Sequence, residues 1–104
     1  MISLGVAIEL PDGFEAIVAP RSSTFEKYGI IMTNGIGVID NAYCGNDDIW
    51  HFPAYKLKGE PVKIQKNERI AQFRILYHQP HCDLIKVERL EGENRGGFGS
   101  TGTR

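Results

Sequence analysis

No window of this sequence holds its apolar residues at a helical period, while alternation at the period of a strand keeps returning between short turn signals. From Ile2 to Leu10 the side chains Ile2, Leu4, Val6, Ile8 and Leu10 take every second position, and after "PDG" at 11–13 Phe14, Ala16 and Val18 alternate again. These two runs predict a hairpin. "PRSSTFEKYG" breaks the pattern and has room for one helical turn, with Phe25 and Tyr28 on one side and Gly29 as its stop. "IIM", the turn "TNG" and "IGVID" predict two short strands. The turn "CGNDD" follows, then a strand across "IWHFPAYKL" in which Pro53 marks an edge or a bulge. After "KGEP", Ala71, Phe73, Ile75 and Tyr77 alternate, and "CDLIKVERL" predicts a last strand. Turns at such short intervals belong to a sandwich or barrel, so the predicted fold class is all-β, with one domain over 1–93. The remaining 94–104, "NRGGFGSTGTR", offers four glycines and no apolar run. Glycine loses the most freedom on ordering, which predicts a flexible arm unless a ligand ties it down.

Composition excludes more than it proposes. With 104 residues, 41% hydrophobic and 24% charged, the chain has the make-up of an ordinary globular domain. A formal net charge of −1 gives no field to steer nucleic acid or an anionic membrane surface onto it, so neither is expected as the main partner. A single small anion needs only a few placed arginines. The opening "MISLGVAIELPDG" has neither a basic start with a continuous apolar stretch nor a span-length apolar run, which makes the expected location cytoplasmic. Cys44 and Cys82 fit no metal or redox spacing and are expected as reduced thiols. His78, His81 and Cys82 lie close together in "HQPHC", but zinc needs a second pair at a recognisable spacing, and no metal ligand is assigned.

Four polar clusters interrupt the strands. "PRSS" brings Arg21, Ser22 and Ser23 after a strand, a composition suited to phosphate oxygens and equally to a plain Ser-rich loop. In "GVIDNAYCG", Asp40 follows an apolar run with Tyr43 three residues on, which suits a catalytic carboxylate and also a turn. Gln72 sits among core-like residues in "RIAQF", and the fourth cluster is the tail.

In this order, "PRSST…GI", "GVIDNAYCG", "RIAQF" and "RGGFGSTG" resemble motifs two, three, four and five of the trimeric dUTP diphosphatases (dUTPases) and cover nearly the whole sequence. The family's first motif, an aspartate-bearing segment, has no counterpart in this sequence, which opens on what resembles the strand before motif two. The resemblance implies a distorted β-barrel of the β-clip, jelly-roll type, assembled as a homotrimer with three active sites between subunits. It implies hydrolysis of dUTP to dUMP and pyrophosphate by water attacking the α-phosphorus, with Mg²⁺ held mainly by the substrate's phosphates and by water.

Residue roles follow from the same resemblance. Asp40 would orient and deprotonate the water, and Tyr43 would pack on deoxyribose and exclude a 2′-hydroxyl. The hairpin from Asn34 through Gly37, Val38 and Ile39 to Tyr43 would read uracil largely through its backbone. Arg21, Ser22, Ser23 and Gln72 resemble phosphate ligands. In the arm, Arg95, Gly99, Ser100 and Thr101 would close over the γ-phosphate while Phe98 covers the base. Two residues fewer than usual separate Arg95 from Phe98, leaving Trp50 and Phe52 as alternative aromatics for that face. A second reading is a non-catalytic or truncated dUTPase-like module that binds nucleotide or a regulatory partner. The related dCTP deaminases share the fold but need a glutamate that "IDNAYCG" does not contain.

Overall fold

A computed structural model describes residues 1–97 of the chain. Its longest strands are β2 (Phe14–Pro20) and β7 (Ala71–Tyr77). They pair antiparallel over the full length of both, from Phe14 opposite Tyr77 to Pro20 opposite Ala71. The other edge of β2 takes β4 (Gly37–Ile39), with Ala16 opposite Ile39 and Val18 opposite Gly37, so β2 is the central strand of the order β4-β2-β7. Two two-stranded sheets complete the architecture. In one, β1 (Ile2–Ser3) pairs with β5 (His51–Phe52); in the other, β3 (Ile30–Met32) pairs with β6 (Ala54–Lys56). All pairings are antiparallel.

The alternation places the core. On β2, Ala16 and Val18 are buried, and they join Leu10, Tyr28, Ile30, Met32, Trp50, Phe52 and Ile70 in one cluster. Residues directly opposite in an antiparallel ladder share a face, so Phe73, Ile75 and Tyr77 lie on the core side of β7. That side is only partly covered: Phe73 is 52% and Tyr77 83% exposed.

One helical turn, α1 (Thr24–Tyr28), follows β2. Thr24 and Tyr28 are four residues apart, hence on one face, and both are buried, whereas Phe25 is 37% exposed. The expected pairing of Phe25 with Tyr28 is therefore replaced by Thr24 with Tyr28. Gly29 stops the turn in the left-handed region at φ 67°, its N–H donating to the Phe25 carbonyl at 2.7 Å. Its own carbonyl accepts from the amides of Leu57 and Lys58. Beside α1, the Glu68 carboxylate accepts the Gln65 amide at 2.8 Å and lies 3.7 Å from the Lys27 ammonium. The Gln65 bond above all, with Lys27 nearby, holds Glu68 below the usual carboxylate range.

Three expectations need correction. Residues 2–10 do not form a hairpin with β2: β1 and the following residues run beside 50–52, with the Leu4 amide donating to the Trp50 carbonyl and the Trp50 amide to the Val6 carbonyl, both at 2.8 Å. Gly5, at φ 75°, breaks the regular strand, and the "PDG" turn leads into β2 beside the end of β7, its Gly13 carbonyl accepting from the His78 amide. The strand across Pro53 is two strands in two sheets, as a residue without an N–H enforces. Residues 82–90 are not a strand: among the described residues they pair with nothing, and Leu84 is 96% exposed. A strand needs a neighbour for its backbone groups, and among the described residues no open edge meets this segment. The radius of gyration, 19.1 Å, exceeds the value of about 13 Å for a compact chain of this length. Among the described residues, no helix is long and apolar enough to cross a membrane.

A Cβ added at Gly29 would run into the Lys58 carbonyl oxygen and would hold a left-handed backbone. Gly29→Ala is therefore expected to cost about 2 kcal/mol or more, read by calorimetry as a Tm lower by roughly 8–16 °C. An unchanged Tm would contradict the capping role.

Candidate functional site

The first candidate cluster lies on β4 and the turns at its two ends; β3 and β4 pair with different partners, so the hairpin expected from Asn34 to Tyr43 is corrected to an edge strand between two turns. Because β4 is an edge strand, one row of its backbone N–H and C=O groups is not engaged by β2 and faces outward. The chain enters β4 through a tight turn in which the Gly35 amide donates to Met32 and the Ile36 amide to Asn34. It leaves through another in which the Tyr43 amide donates to the Asp40 carbonyl at 3.0 Å. Asn34, Gly37, Val38, Ile39, Asp40 and Tyr43 border one open cavity of about 430 Å³, in the size range of small-molecule sites. Met1, Ile49, Trp50, His51 and Pro53 complete its lining.

Within this cavity Asp40 is exposed, and its Oδ1 accepts the Ala42 amide at 3.4 Å, so the carboxylate shapes the turn while remaining at the cavity surface. The Tyr43 hydroxyl donates to the Ile49 carbonyl at 3.1 Å, which anchors the far end of the ring. The same carbonyl lies 2.7 Å from Nδ1 of His51. A carbonyl only accepts, so this contact fixes the proton on Nδ1 and leaves Nε2 as the acceptor of the neutral ring. The sequence reading missed His51 and Ile49 because their contribution depends on residues 49–51 folding back onto the turn that carries Tyr43, which no local pattern signals. Trp50 is 2% exposed and meets Phe73 edge-on at 5.4 Å, its indole N–H buried without a partner among the described residues. Phe52 is fully buried in the core and does not line the cavity, so it is corrected as an alternative cover for a base.

The second half-site gathers at the other end of β2. The Arg21 amide donates to Thr24 Oγ1 at 2.9 Å, and its guanidinium Nη1 donates to the Arg69 carbonyl at 3.3 Å. Gln72, on β7, donates from Nε2 to the Pro20 carbonyl at 2.9 Å. Ser22 and Ser23 are exposed between them, and Ser23 precedes α1 without a side-chain cap bond. A cation, two hydroxyls and an amide are thus collected on one short loop and the strand beside it, a donor set matched to phosphate oxygens.

The two clusters lie toward opposite ends of β2. Asp40 follows Ile39, which pairs with Ala16, whereas Arg21 lies five residues further along the same strand direction. At the rise of a strand this is about 16 Å. Arg95 is exposed in the segment beyond β7, and Phe98, Gly99, Ser100 and Thr101 lie outside the described residues.

Comparison with known proteins bears on family and fold. A family model described as dUTPase matches residues 1–102. The chain is 55% identical over 104 residues to the SPbeta prophage-derived deoxyuridine 5′-triphosphate nucleotidohydrolase YosS of Bacillus subtilis (strain 168), covering 100% of this chain and 72% of that protein. It is 37% identical over 106 residues to the deoxyuridine 5′-triphosphate nucleotidohydrolase of Hydrogenobaculum sp. (strain Y04AAS1), covering 71% of it. Among solved structures, the crystal structure of dUTPase from Streptococcus mutans superposes with a TM-score of 0.70 at 23% identity, over 78% of this chain and 66% of that one. A mutant dUTPase of Staphylococcus bacteriophage 80alpha with dUpNHpp gives 0.69 at 22%, over 92% and 71%. These two likenesses show the fold.

Proposed function

The chain belongs to the dUTPase family, and on that premise we propose that it hydrolyses dUTP to dUMP and pyrophosphate by attack of water on the α-phosphorus. The observation that carries the proposal is the cavity that gathers Asn34, Gly37, Val38, Ile39, Asp40 and Tyr43 on the edge strand β4 and the turns at its two ends. Outward backbone groups of β4 suit the edge of a uracil, whose donors and acceptors cytosine would mispair. Tyr43, anchored at its hydroxyl, supplies a flat wall against the sugar, where a 2′-hydroxyl would clash. Asp40 accepts the proton of the attacking water.

Arg21, Ser22, Ser23 and Gln72 serve the phosphates, stabilising charge that builds on the phosphoryl oxygens. Arg21 lies about 16 Å or more along the strand from Asp40, a spacing that suits a site in which the two clusters come from different copies. We therefore read the active unit as a homotrimer with composite sites. The half-open apolar face of β7 and the unpaired residues 82–90 are surfaces such an assembly would cover. The arm 94–104, with Arg95, Phe98, Gly99, Ser100 and Thr101, is proposed to close over bound nucleotide.

Magnesium enters this reading with the substrate. Among the described residues no three carboxylate, imidazole or thiol side chains converge. A Mg²⁺ that keeps triphosphate oxygens and waters as ligands asks for no such cage, and it would neutralise charge on the phosphates.

Purified protein is expected to turn over dUTP at least about 10²-fold faster, by kcat/KM, than UTP, dCTP or dTTP. Comparable rates for dUTP and UTP would contradict the role of Tyr43. Asp40→Asn keeps an oxygen for the Ala42 amide and should preserve the turn, while kcat falls by about 10²-fold or more for want of a base. Wild-type protein that binds a non-hydrolysable dUTP analogue without turning over dUTP would instead favour the nucleotide-binding module. Tyr43→Phe removes one hydrogen bond, worth about 1 kcal/mol. Discrimination against UTP should fall by roughly 5-fold, with dUTP turnover less affected.

A further inference from the structure

We infer that Thr24 is the positioning residue of the phosphate-binding half-site, its hydroxyl fixing Arg21 relative to the strand that carries Gln72. The inference rests on the reading above that Arg21 and Gln72 hold phosphate. Thr24 is the buried polar side chain of the core described here, with 0% exposure. Its Oγ1 donates to the Ile70 carbonyl at 2.7 Å and accepts the Arg21 amide at 2.9 Å, so one hydroxyl spends both of its capacities on joining the two segments. The Thr24 amide in turn donates to the Arg21 carbonyl at 3.1 Å, which closes residues 21–24 into a turn whose N–H and C=O both end on Thr24.

The position along the fold gives this contact its consequence. The β2–β7 ladder ends with Pro20 opposite Ala71, and beyond it the direct backbone contact is long, the Arg21 amide lying 3.4 Å from the Ile70 carbonyl. Past the last rung, the Thr24 hydroxyl is the short, buried bridge between the loop and the start of β7. The remaining bridges, from Arg21 to the Arg69 carbonyl and from Gln72 to the Pro20 carbonyl, are made by exposed side chains that are themselves the proposed phosphate ligands. Bound phosphate would draw those side chains away, and Thr24 would then keep the two ligands in register. A misplacement of about 1 Å at such a site can cost roughly 10²-fold in rate. An aliphatic residue of the same shape would fill the space and leave the Ile70 carbonyl without its short donor.

The test compares Thr24→Val, which keeps the shape, with Thr24→Ser, which keeps the hydroxyl. Each is examined alone, and Thr24→Val also in an Arg21→Ala background. Folding is checked by circular dichroism at the assay temperature, and dUTP turnover and binding of α,β-imido-dUTP are measured. T24V is expected to lose about 10-fold in kcat/KM while folded, T24S to recover most of it, and the effect of T24V to shrink below about 2-fold once Arg21 is gone. If T24V does not fold, Thr24→Cys, similar in volume and a weak donor, takes its place in the same cycle. A folded T24V with wild-type kcat/KM, a T24S as impaired as T24V, or losses that simply add to that of R21A would each overturn the inference. Wild-type protein that neither binds the analogue nor turns over dUTP would overturn the functional reading, and the inference with it.

Discussion

The pairing of β2 on both of its edges is the interaction on which the other features depend. Its inward side chains Ala16 and Val18 are buried at the centre of the core, and its register with β4 and β7 sets which residues of each share that face. The same strand carries one half-site at each end. Toward its start, β4 delivers Asp40; from its finish the chain runs directly into Arg21, with Gln72 beside it on β7. A slip of one residue in either ladder would turn every side chain to the opposite face, moving the core and both half-sites together.

The same arrangement leaves apolar surface uncovered. The core face of β7 is half open, and residues 82–90 expose their apolar side chains with no strand to join among the described residues. Surface of this kind is costly to leave in water, at about 25 cal/mol for each Å² of apolar area. The separation of the half-sites and the unfinished apolar face come from one cause, a sheet whose central strand is satisfied while its neighbours are not. The composite site proposed above would address both.

The sequence discloses the local chemistry of this fold more readily than its pairings. Alternation locates β2 and β7, Gly29 marks the end of α1, and Pro53 marks the break between β5 and β6, because each depends on side chains or dihedrals a few residues apart. Partner choice is another matter. Ile2–Leu10 alternates as well as any strand, yet Gly5 breaks its regularity and the segment lies along 50–52 rather than β2. The segment 82–90 carries a strand's composition without a strand's partner among the described residues. In the site, Asp40 and Tyr43 are visible as residue types at a fixed spacing. Thr24, Ile49 and His51 gain their parts only through contacts made by distant segments or by backbone atoms, which no residue pattern records.

The composite site is tested most directly by mixing two impaired variants. Arg21→Ala and Asp40→Asn would be purified separately, shown to be folded and each to retain only a few per cent or less of the wild-type dUTP turnover, then unfolded together in equal amounts and refolded. If one substrate takes Arg21 from one copy and Asp40 from another, random assembly leaves both intact in about a quarter of the sites, and dUTP hydrolysis returns to about that fraction of the wild-type rate. Mixed oligomers that form and remain as inactive as either variant alone would contradict the account.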